Sequence, residues 1–396
     1  MSRARILYLD VPFENESGGD KNRSRFLFQS LRENFEVDLL LIGHEGASIK
    51  PAWTNFKPVA TFAPQPAPFP RPASTPSFTP ADRAKFISLN REKKYAAVFC
   101  RFTIGWELCK IIQRDFPQTA VIVDLDMVSS RLVAMSWAAN PSFRRRWFLF
   151  EKWKLQRLER QLVHSLSLLL LSNSEELTAL YRQHHSHGSK SEFALLPNIM
   201  PRAAEPTVER QPVILFFGSM DSAANTDGFA FLVDEVLPQL DSELKTRGVE
   251  IHVVGKNPPP HFRERLTRSD SARVKIIGGV DSIERVIAES LFVLLPLRIA
   301  SGTRTRILEA AAQKRAVVTT PIGAEGLDVA DTTLIGNNAV ELAAHTKRLL
   351  VNPPEADALG AKLGERCVSL YAPDKVAADL VDAVEKFISK KNGATQ

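Results

Sequence analysis

The chain has 396 residues, more than one compact domain usually holds, and this length predicts two domains. Its composition, 44% hydrophobic and 24% charged, excludes a largely disordered chain and a bundle of membrane helices. The net charge of +6 is unevenly distributed, because residues 1–200 hold 27 Lys and Arg against 19 Asp and Glu, whereas the remainder holds 24 against 26. Such asymmetry is typical of a protein that binds an anionic partner, although an incidental basic surface gives the same count.

The cysteines and the amino terminus indicate a cytoplasmic protein. Cys100, Cys109 and Cys367 form no C-x-x-C pair, and their odd number leaves a thiol unpaired within the chain. The first apolar stretch spans four residues, which is too short for the core of a signal peptide. No apolar run approaches the length that crosses a bilayer, so neither export nor a transmembrane anchor is expected.

The first half reads as a series of short strands and helices with one interruption. The pattern predicts strands near 5–9, 37–42, 96–100 and 120–125, and helices near 23–34, 104–114 and 148–164. Residues 51–80 contain nine of the 25 prolines, and this density predicts an extended surface loop without helix or central strand.

The second half alternates apolar runs with amphipathic segments at the spacing of βα units. Strands are predicted at 213–218, 250–255, 274–279, 291–297 and 316–320. Asn225 is predicted to cap a helix over 226–237, and Asp281 with Glu284 is predicted to form a capping box for a helix over 283–290. Buried strands separated by helices predict a parallel, doubly wound sheet, which binds ligands beyond the carboxyl ends of its strands.

A helix start rich in arginine is the most informative segment. Ser301, Gly302 and Thr303 follow a predicted strand, and Arg304 and Arg306 stand in the first turn of the next helix. A helix amino terminus disfavours cations, so two arginines there indicate an anion such as a diphosphate, which arginine binds through its planar fork. Glu309 follows on a neighbouring part of the helix, where its carboxylate can accept hydrogen bonds from ribose hydroxyls, although an ordinary Arg306–Glu309 surface pair is equally consistent with the letters.

The segments 213–240, 251–260, 274–297, 301–320 and 321–329 resemble the nucleotide-sugar-dependent glycosyltransferases of the GT-B fold, specifically the family-4-type group of retaining enzymes (glycosyl transferases group 1). The resemblance covers about 120 residues in order and includes a subgroup pattern, a PN-type loop with an SGTR-x-(K/R)-ILEA helix start. It implies two Rossmann-like domains facing a cleft. The expected boundaries are 1–200 for an acceptor-side domain, 201–372 for a donor domain, and 373–396 for a terminal helix that crosses back to the first domain.

The resemblance also implies a donor site, and this sequence departs from the family pattern of that site in two places. The donor is expected at two glycines of the first domain and at a set of residues in the second, namely Gly18, Gly19, Gly218, Val280, Arg298, Ser301, Gly302, Thr303, Arg304, Arg306 and Glu309. Ser301 stands where many relatives have a glutamate that contacts the donor sugar, and the stretch 218–225 lacks the usual arginine and lysine. Arg304 and Arg306 are expected to replace that pair, and a degenerate donor site is the alternative.

In the first domain the resemblance points to the ends of two strands. Gly18 and Gly19 follow the first strand, where relatives place a glycine-rich loop, and a plain turn explains them equally well. Asp124 and Asp126 end a strand where relatives carry a polar residue near the reacting sugar, so either aspartate is a candidate catalytic residue that positions an acceptor hydroxyl. Helix capping is the competing interpretation.

Residues 143–160 interleave seven basic side chains with five aromatic ones. This pattern suits an anionic membrane surface, and it is also compatible with nucleic acid, which the other features do not favour, or with ordinary core packing. A peripheral location on the inner face of the membrane would suit a lipid-linked acceptor.

The sequence therefore predicts a retaining, metal-independent glycosyltransferase. It would move a sugar from a nucleoside-diphosphate sugar, its co-substrate, to a glycan, lipid-linked or small-molecule acceptor, in cell-envelope polysaccharide or glycoconjugate biosynthesis. No metal site and no further cofactor are expected, and the departing diphosphate would be stabilised by arginines and a helix dipole. A non-catalytic GT-B binding module is the main alternative, and a GT-B sugar-nucleotide epimerase or phosphorylase is the other.

Overall fold

The computed structural model describes residues 3–12, 19–43, 56–139, 146–185, 188–203, 208–220, 222–268 and 273–393. Contacts divide the chain into two compact units. The first comprises Met1–Val133, Arg146–Asn198 and Asp374–Gln396, and the second comprises Ala134–Arg145 and Ile199–Pro373.

The first unit is built on a parallel sheet of seven strands in the order β3-β2-β1-β4-β5-β6-β7. Its strands are β1 Arg5–Asp10, β2 Glu36–Ile42, β3 Ala60–Phe62, β4 Ala97–Arg101, β5 Ala120–Asp126, β6 Ser167–Leu171 and β7 Glu192–Leu195. Its helices are α1 Gly19–Asn34, α2 Pro80–Lys93, α3 Trp106–Asp115, α4 Ser129–Ala139, α5 Trp147–Val163, α6 Ser174–His185 and the carboxy-terminal α15 Pro373–Gly393. Helix α4 runs past Val133 into the residues assigned to the second unit.

The second unit has a parallel sheet of six strands in the order β10-β9-β8-β11-β12-β13. Its strands are β8 Val213–Phe217, β9 Glu250–Val254, β10 Val274–Gly278, β11 Phe292–Leu295, β12 Val317–Thr319 and β13 Leu334–Ile335. Its helices are α7 Ala223–Phe231, α8 Leu237–Arg247, α9 Pro260–Arg268, α10 Ile283–Glu289, α11 Thr305–Ala312, α12 Pro321–Ala324, α13 Ala339–Val351 and α14 Pro353–Tyr371, with a π-helical turn Leu232–Val236 and a 3₁₀ turn Ala330–Thr332.

Both sheets confirm the predicted doubly wound α/β class. All strand pairs in each sheet are parallel, and each order contains the sequence 3-2-1-4-5-6 when strands are counted within their own unit. The chain order reverses between β1 and β4 in one sheet and between β8 and β11 in the other. Loops at the carboxyl ends of these strands are the positions where such sheets bind ligands.

The proline-rich segment is more ordered than a plain surface loop, so that prediction is wrong in part. Residues Ala60–Phe62 form β3, which pairs with β2 at the edge of the sheet, and Phe62 and Phe78 are buried in the core. An edge strand tolerates nearby proline because only one of its sides needs backbone donors.

Two helix caps also differ from the predicted ones. Ser222, not Asn225, caps α7, since its side chain accepts a hydrogen bond from the backbone N–H of Asn225. Ser282, not Asp281, caps α10 by accepting from the N–H of Arg285. In both cases the serine directly precedes the first helical turn, where a short hydroxyl reaches the free N–H groups. Asn225 is thereby released for another role.

Candidate functional site

The candidate donor site lies at the carboxyl ends of β8 and β11, and Arg306 is its central cation. The guanidinium Nη1 of Arg306 donates to the carbonyl oxygen of Phe217 at 3.0 Å and to Oδ1 of Asn225 at 2.5 Å. Asn225 is held in turn by its Nδ2, which donates to the carbonyl oxygen of Ser219 at 2.6 Å. Asn225 was predicted to cap a helix, whereas in the structure it accepts a hydrogen bond from Arg306 and orients its guanidinium.

Arg306 is only partly satisfied by these contacts. Its other guanidinium N–H groups have no acceptor among the residues that the structure describes. Burial, followed by repulsion from Arg304, lowers the pKa of Arg306 to about 10, and Glu309 opposes this shift. The side chain nevertheless stays charged near neutral pH, and a bound anion would offset both unfavourable contributions.

Glu309 lies one turn further along α11, and its carboxylate makes no hydrogen bond or salt bridge within the described parts of the chain. Burial raises the pKa of Glu309 to about 7, Arg306 opposes this rise, and Glu284 adds to it. A half-buried carboxylate without donors costs stability when it is ionised. Donors from a ligand, such as paired hydroxyls, would remove this cost.

The side chain of Arg304 makes different contacts from that of Arg306. It is the N-cap residue of α11, and its Nη2 donates to the carbonyl oxygens of Ser301 and Gly302. Gly302 has a φ of +68°, a left-handed conformation that glycine adopts at low cost. Arg304 therefore contacts its own loop, and its expected contact with a phosphate stays a prediction.

The other predicted donor residues of the second unit are spread around this edge. Ser301 is half-buried and Thr303 is buried in the loop before α11, and Val280 is half-buried after β10, packed against the core. Arg298 is exposed and pairs with Asp227 at 2.9 Å and with Glu235 at 3.0 Å, above the ring of Phe231. These contacts hold Arg298 to α7 and to the π-helical turn and give it a structural explanation.

Gly218 is the predicted site residue with the tightest surroundings. Its φ is +143°, and a Cβ placed there would lie 2.7 Å from Nδ2 of Asn225 and 2.9 Å from Nη1 of Arg306. The neighbouring strand comes equally near, since a Cβ on Gly255 would lie 1.8 Å from the carbonyl oxygen of Gly218. Glycine at 218 is thus a condition for the position of Arg306.

We expect Gly218→Ala to destabilise the protein by about 1–3 kcal/mol and to weaken nucleotide binding, because the new methyl group displaces Arg306. The matched control is Gly248→Ala, where φ is +66° but nothing lies within 4 Å. That change costs about 1–2 kcal/mol of backbone strain and should leave binding unchanged. Thermal unfolding with and without a nucleoside diphosphate measures both effects, and equal binding losses in the two variants would contradict the assignment.

In the first unit, charged side chains gather at the carboxyl ends of β1, β4 and β5. Asp124 is fully buried and accepts from Arg23, with Nη2 at 2.7 Å and Nε at 3.0 Å, and from Nη1 of Arg101. Burial alone would raise the pKa of Asp124, but the two guanidinium groups outweigh it and lower the pKa. The sequence predicted Asp124 as a catalytic candidate, and the structure places it inside a buried ion network.

Asp126 differs from Asp124 in both backbone and partners. It has a φ of +60°, unusual for a residue other than glycine, and the pairing of β5 with β6 shifts register between Asp124 and Asp126. Its Oδ1 is buried and has no hydrogen-bond partner among the described residues, and Nε of Arg23 lies 3.7 Å from it. A strained backbone beside an unsatisfied carboxylate oxygen is typical of a functional position.

Besides Arg23, two further residues of this cluster were not predicted as site residues. Arg101 is completely buried at the end of β4, and Asp10 is buried at the end of β1, where burial raises its pKa to about 6. Both belong to apolar strand sequences, and one charged letter at a strand end gives no indication of its partner. Gly18 lies outside the described residues, and Gly19 is the first residue of α1.

A cavity of about 470 Å³ in the second unit opens beside Glu250, His252 and Val254 of β9 and includes neither Arg306 nor Glu309. Among the described residues, no group of three His, Cys, Asp or Glu side chains is placed to hold a metal ion. The three cysteines are free and buried. No helix in the described ranges is long and apolar enough to cross a membrane.

The comparisons with known proteins agree with this architecture. Residues 211–352 match the family model described as glycosyl transferases group 1. Sucrose-phosphate synthase from Thermosynechococcus elongatus aligns with a TM-score of 0.66 at 14% identity over 98% of this chain and 100% of the other. The HepE protein of Anabaena, in complex with UDP and glucose, aligns with a TM-score of 0.62 at 13% identity over 97% of this chain and 100% of the other. TarM of S. aureus, in complex with fondaparinux, alpha-GlcNAc-glycerol and UDP, aligns with a TM-score of 0.67 at 8% identity over 96% of this chain and 99% of the other. No curated protein matches the sequence. At these identities the solved structures establish the fold, and the predicted GT-B class is confirmed.

Proposed function

We propose that this protein is a retaining glycosyltransferase that moves a sugar from a nucleoside-diphosphate donor to a glycan, lipid-linked or small-molecule acceptor. The match of residues 211–352 to the glycosyl transferases group 1 model supports glycosyl transfer. The structures of HepE and TarM contain UDP, which supports a nucleotide-sugar donor. The proposed setting is the cytoplasm, in the biosynthesis of cell-envelope polysaccharide or glycoconjugates, and the free cysteines support that compartment.

The observation that carries the proposal is the pair Arg306 and Glu309 on α11. The guanidinium is oriented by Phe217 and Asn225 and keeps N–H groups for an anion, while the carboxylate keeps acceptor capacity for hydroxyls. A nucleoside diphosphate offers both chemistries on one molecule, since its phosphates are anionic and its ribose carries two adjacent hydroxyls. In this arrangement the diphosphate lies against Arg306 and the amino terminus of α11, and Glu309 binds the ribose.

The reaction then needs stabilisation of the departing diphosphate. As the bond between the sugar and the phosphate breaks, negative charge develops on the phosphate oxygens, and Arg306 and the N–H groups of α11 offset it. This arrangement uses no metal ion. Asp126 is proposed to receive an acceptor hydroxyl, because it keeps an unsatisfied oxygen, whereas Asp124 is occupied by Arg23 and Arg101.

The direct test is a thermal-shift panel of UDP, GDP, ADP and dTDP without added metal. A diphosphate present at about 100 times its dissociation constant should stabilise the wild type by about 2.7 kcal/mol, a shift of several degrees. We expect Glu309→Gln to weaken the response, and the control Glu365→Gln, an exposed residue of α14, to keep it. If no diphosphate shifts the wild type, the donor site is wrong and a non-catalytic GT-B binding module becomes the better interpretation.

The pH dependence of binding gives a second prediction for Glu309. Its pKa in the folded protein, about 7, lies above the ordinary value, so the free protein is stabilised below the ordinary pKa and loses that contribution as pH rises through about 7. Ribose hydroxyls donate to the ionised carboxylate, so affinity for the diphosphate should rise as pH increases through about 7. The terminal phosphate itself titrates at about pH 6. The measured quantity is therefore the difference between wild type and Glu309→Gln by calorimetry, and parallel pH profiles would contradict the role.

A further inference from the structure

A cavity of about 290 Å³ lies in the first unit. The proline-rich segment forms one wall through Pro68–Pro72, and helices α3 and α5 form the others. Four cations line the cavity: Arg71, Lys110, Lys154 and Arg157. Such a volume is at the lower end of the range of small-ligand sites.

The cavity presents hydrogen-bond donors that neighbouring carboxylates only partly occupy. Arg71 pairs with Glu107 at 2.6 Å and Lys154 pairs with Glu151, whereas Lys110 and Arg157 form no salt bridge among the described residues. Burial, followed by repulsion from Arg71, lowers the pKa of Lys110, and Glu107 opposes the shift. Four cations against two carboxylates leave the cavity with a net positive charge that suits an anionic ligand.

Trp106 supplies an independent sign of a missing acceptor. It is 3% exposed, lines the same cavity, and its buried indole Nε1–H has no hydrogen-bond partner in the described structure. Tryptophan N–H groups usually find an acceptor when they are buried. An oxyanion in the cavity would give Trp106, Lys110 and Arg157 a common acceptor.

Exposed aromatic side chains stand beside this cavity. Phe69, which is 77% exposed, stacks on Phe150 at 5.8 Å, and Phe150 stacks on Trp153 at 5.7 Å; we call these three rings the aromatic stack. Trp147 and Leu149 on the same helix are 58% and 44% exposed. Apolar groups of this size so close together in water mark an interaction surface.

We propose that the cavity binds the phosphate of an anionic lipid headgroup while the aromatic stack enters the membrane interface beside it. Tryptophan and other amphipathic rings prefer the headgroup region, and lysine and arginine stems reach up from an apolar face to phosphates. Nucleic acid fits less well, because two of the four cations are already paired with carboxylates and the exposed Leu149 has no stacking face for a base. This surface is independent of the donor site.

The test is co-sedimentation of the full chain with vesicles of phosphatidylcholine alone or mixed with phosphatidylglycerol. We expect binding only to the mixed vesicles, and a loss of about fivefold in affinity for Arg157→Gln. The matched control is Arg160→Gln, which removes the same charge from the same helix but lies outside the cavity lining, and it should lose less. Trp106→Phe removes only the N–H donor and should also reduce binding.

The aromatic contribution is tested separately. The double variant Phe69→Ala with Phe150→Ala should lose vesicle binding, whereas Leu166→Ala, a 55% exposed residue outside the surface, should not. Equal binding to both vesicle types, or equal losses for Arg157→Gln and Arg160→Gln, would overturn the proposal. So would tighter binding to single-stranded DNA than to vesicles. Stabilisation by free glycerol phosphate without vesicle binding would assign the cavity to a soluble phosphate and overturn the lipid assignment.

Discussion

Arg306→Lys is expected to reduce sugar transfer, measured as kcat/KM, by about 10²–10³-fold, since it removes preorganised donors from the departing diphosphate. Lysine keeps the charge but lacks the planar fork, in which Nη1 contacts Phe217 and Asn225 while the other guanidinium N–H groups stay available to a phosphate. The donor to use is the sugar conjugate of the nucleoside diphosphate that stabilises the wild type. The rate at which the diphosphate is released from this donor measures the loss of transfer, and calorimetry measures the accompanying loss of affinity.

The matched control is Arg315→Lys in the same unit. Arg315 is also half-buried and also donates to a backbone carbonyl, that of Ala288. It stands just before β12, however, at the amino ends of the strands and not at the carboxyl ends where Arg306 lies. We expect Arg315→Lys to lower stability with little effect on the rate. If the two variants lose activity equally, the loss reflects folding of the domain and Arg306 has no special part in transfer.

The sequence predicted the framework of this site because strand and helix patterns are local. Short apolar runs at βα spacing identified four of the seven strands in the first sheet and five of the six in the second, and glycine followed by arginines identified the start of α11. Local pattern could not distinguish the two arginines. Arg304 is the N-cap, with non-helical dihedral angles that turn it onto its loop, whereas Arg306 lies inside the first turn and reaches β8.

Features that depend on distant parts of the chain were not predictable in the same way. Asn225 follows a strand and looks like a cap, but its partner Arg306 is 81 residues away. Arg101 ends an apolar strand, and its burial is explained only by Asp124, which the sheet pairing brings beside it. The edge strand β3 was missed because proline density outweighed the short apolar signal of Ala60–Phe62.

The largest effect on stability is expected from Asp124→Asn. The change leaves Arg23 and Arg101, both almost fully buried, without the carboxylate that both guanidinium groups contact, and breaking a buried pair from one side costs about 3–5 kcal/mol. Because its pKa is lowered in the folded protein, Asp124 stabilises the fold above its ordinary pKa and loses this contribution as pH falls through the folded pKa.

Urea unfolding followed by tryptophan fluorescence measures this cost, since all the tryptophans except Trp137 belong to the first unit. The control is Glu36→Gln, which breaks the exposed pair with Arg5 and should cost less than about 1 kcal/mol. The contrast follows from solvation: water replaces a lost partner at the surface, but it does not reach Arg23 and Arg101. If both variants unfold at the same urea concentration, the buried network does not hold the first unit together, and Asp124 regains its place beside Asp126 as a candidate acceptor-binding residue.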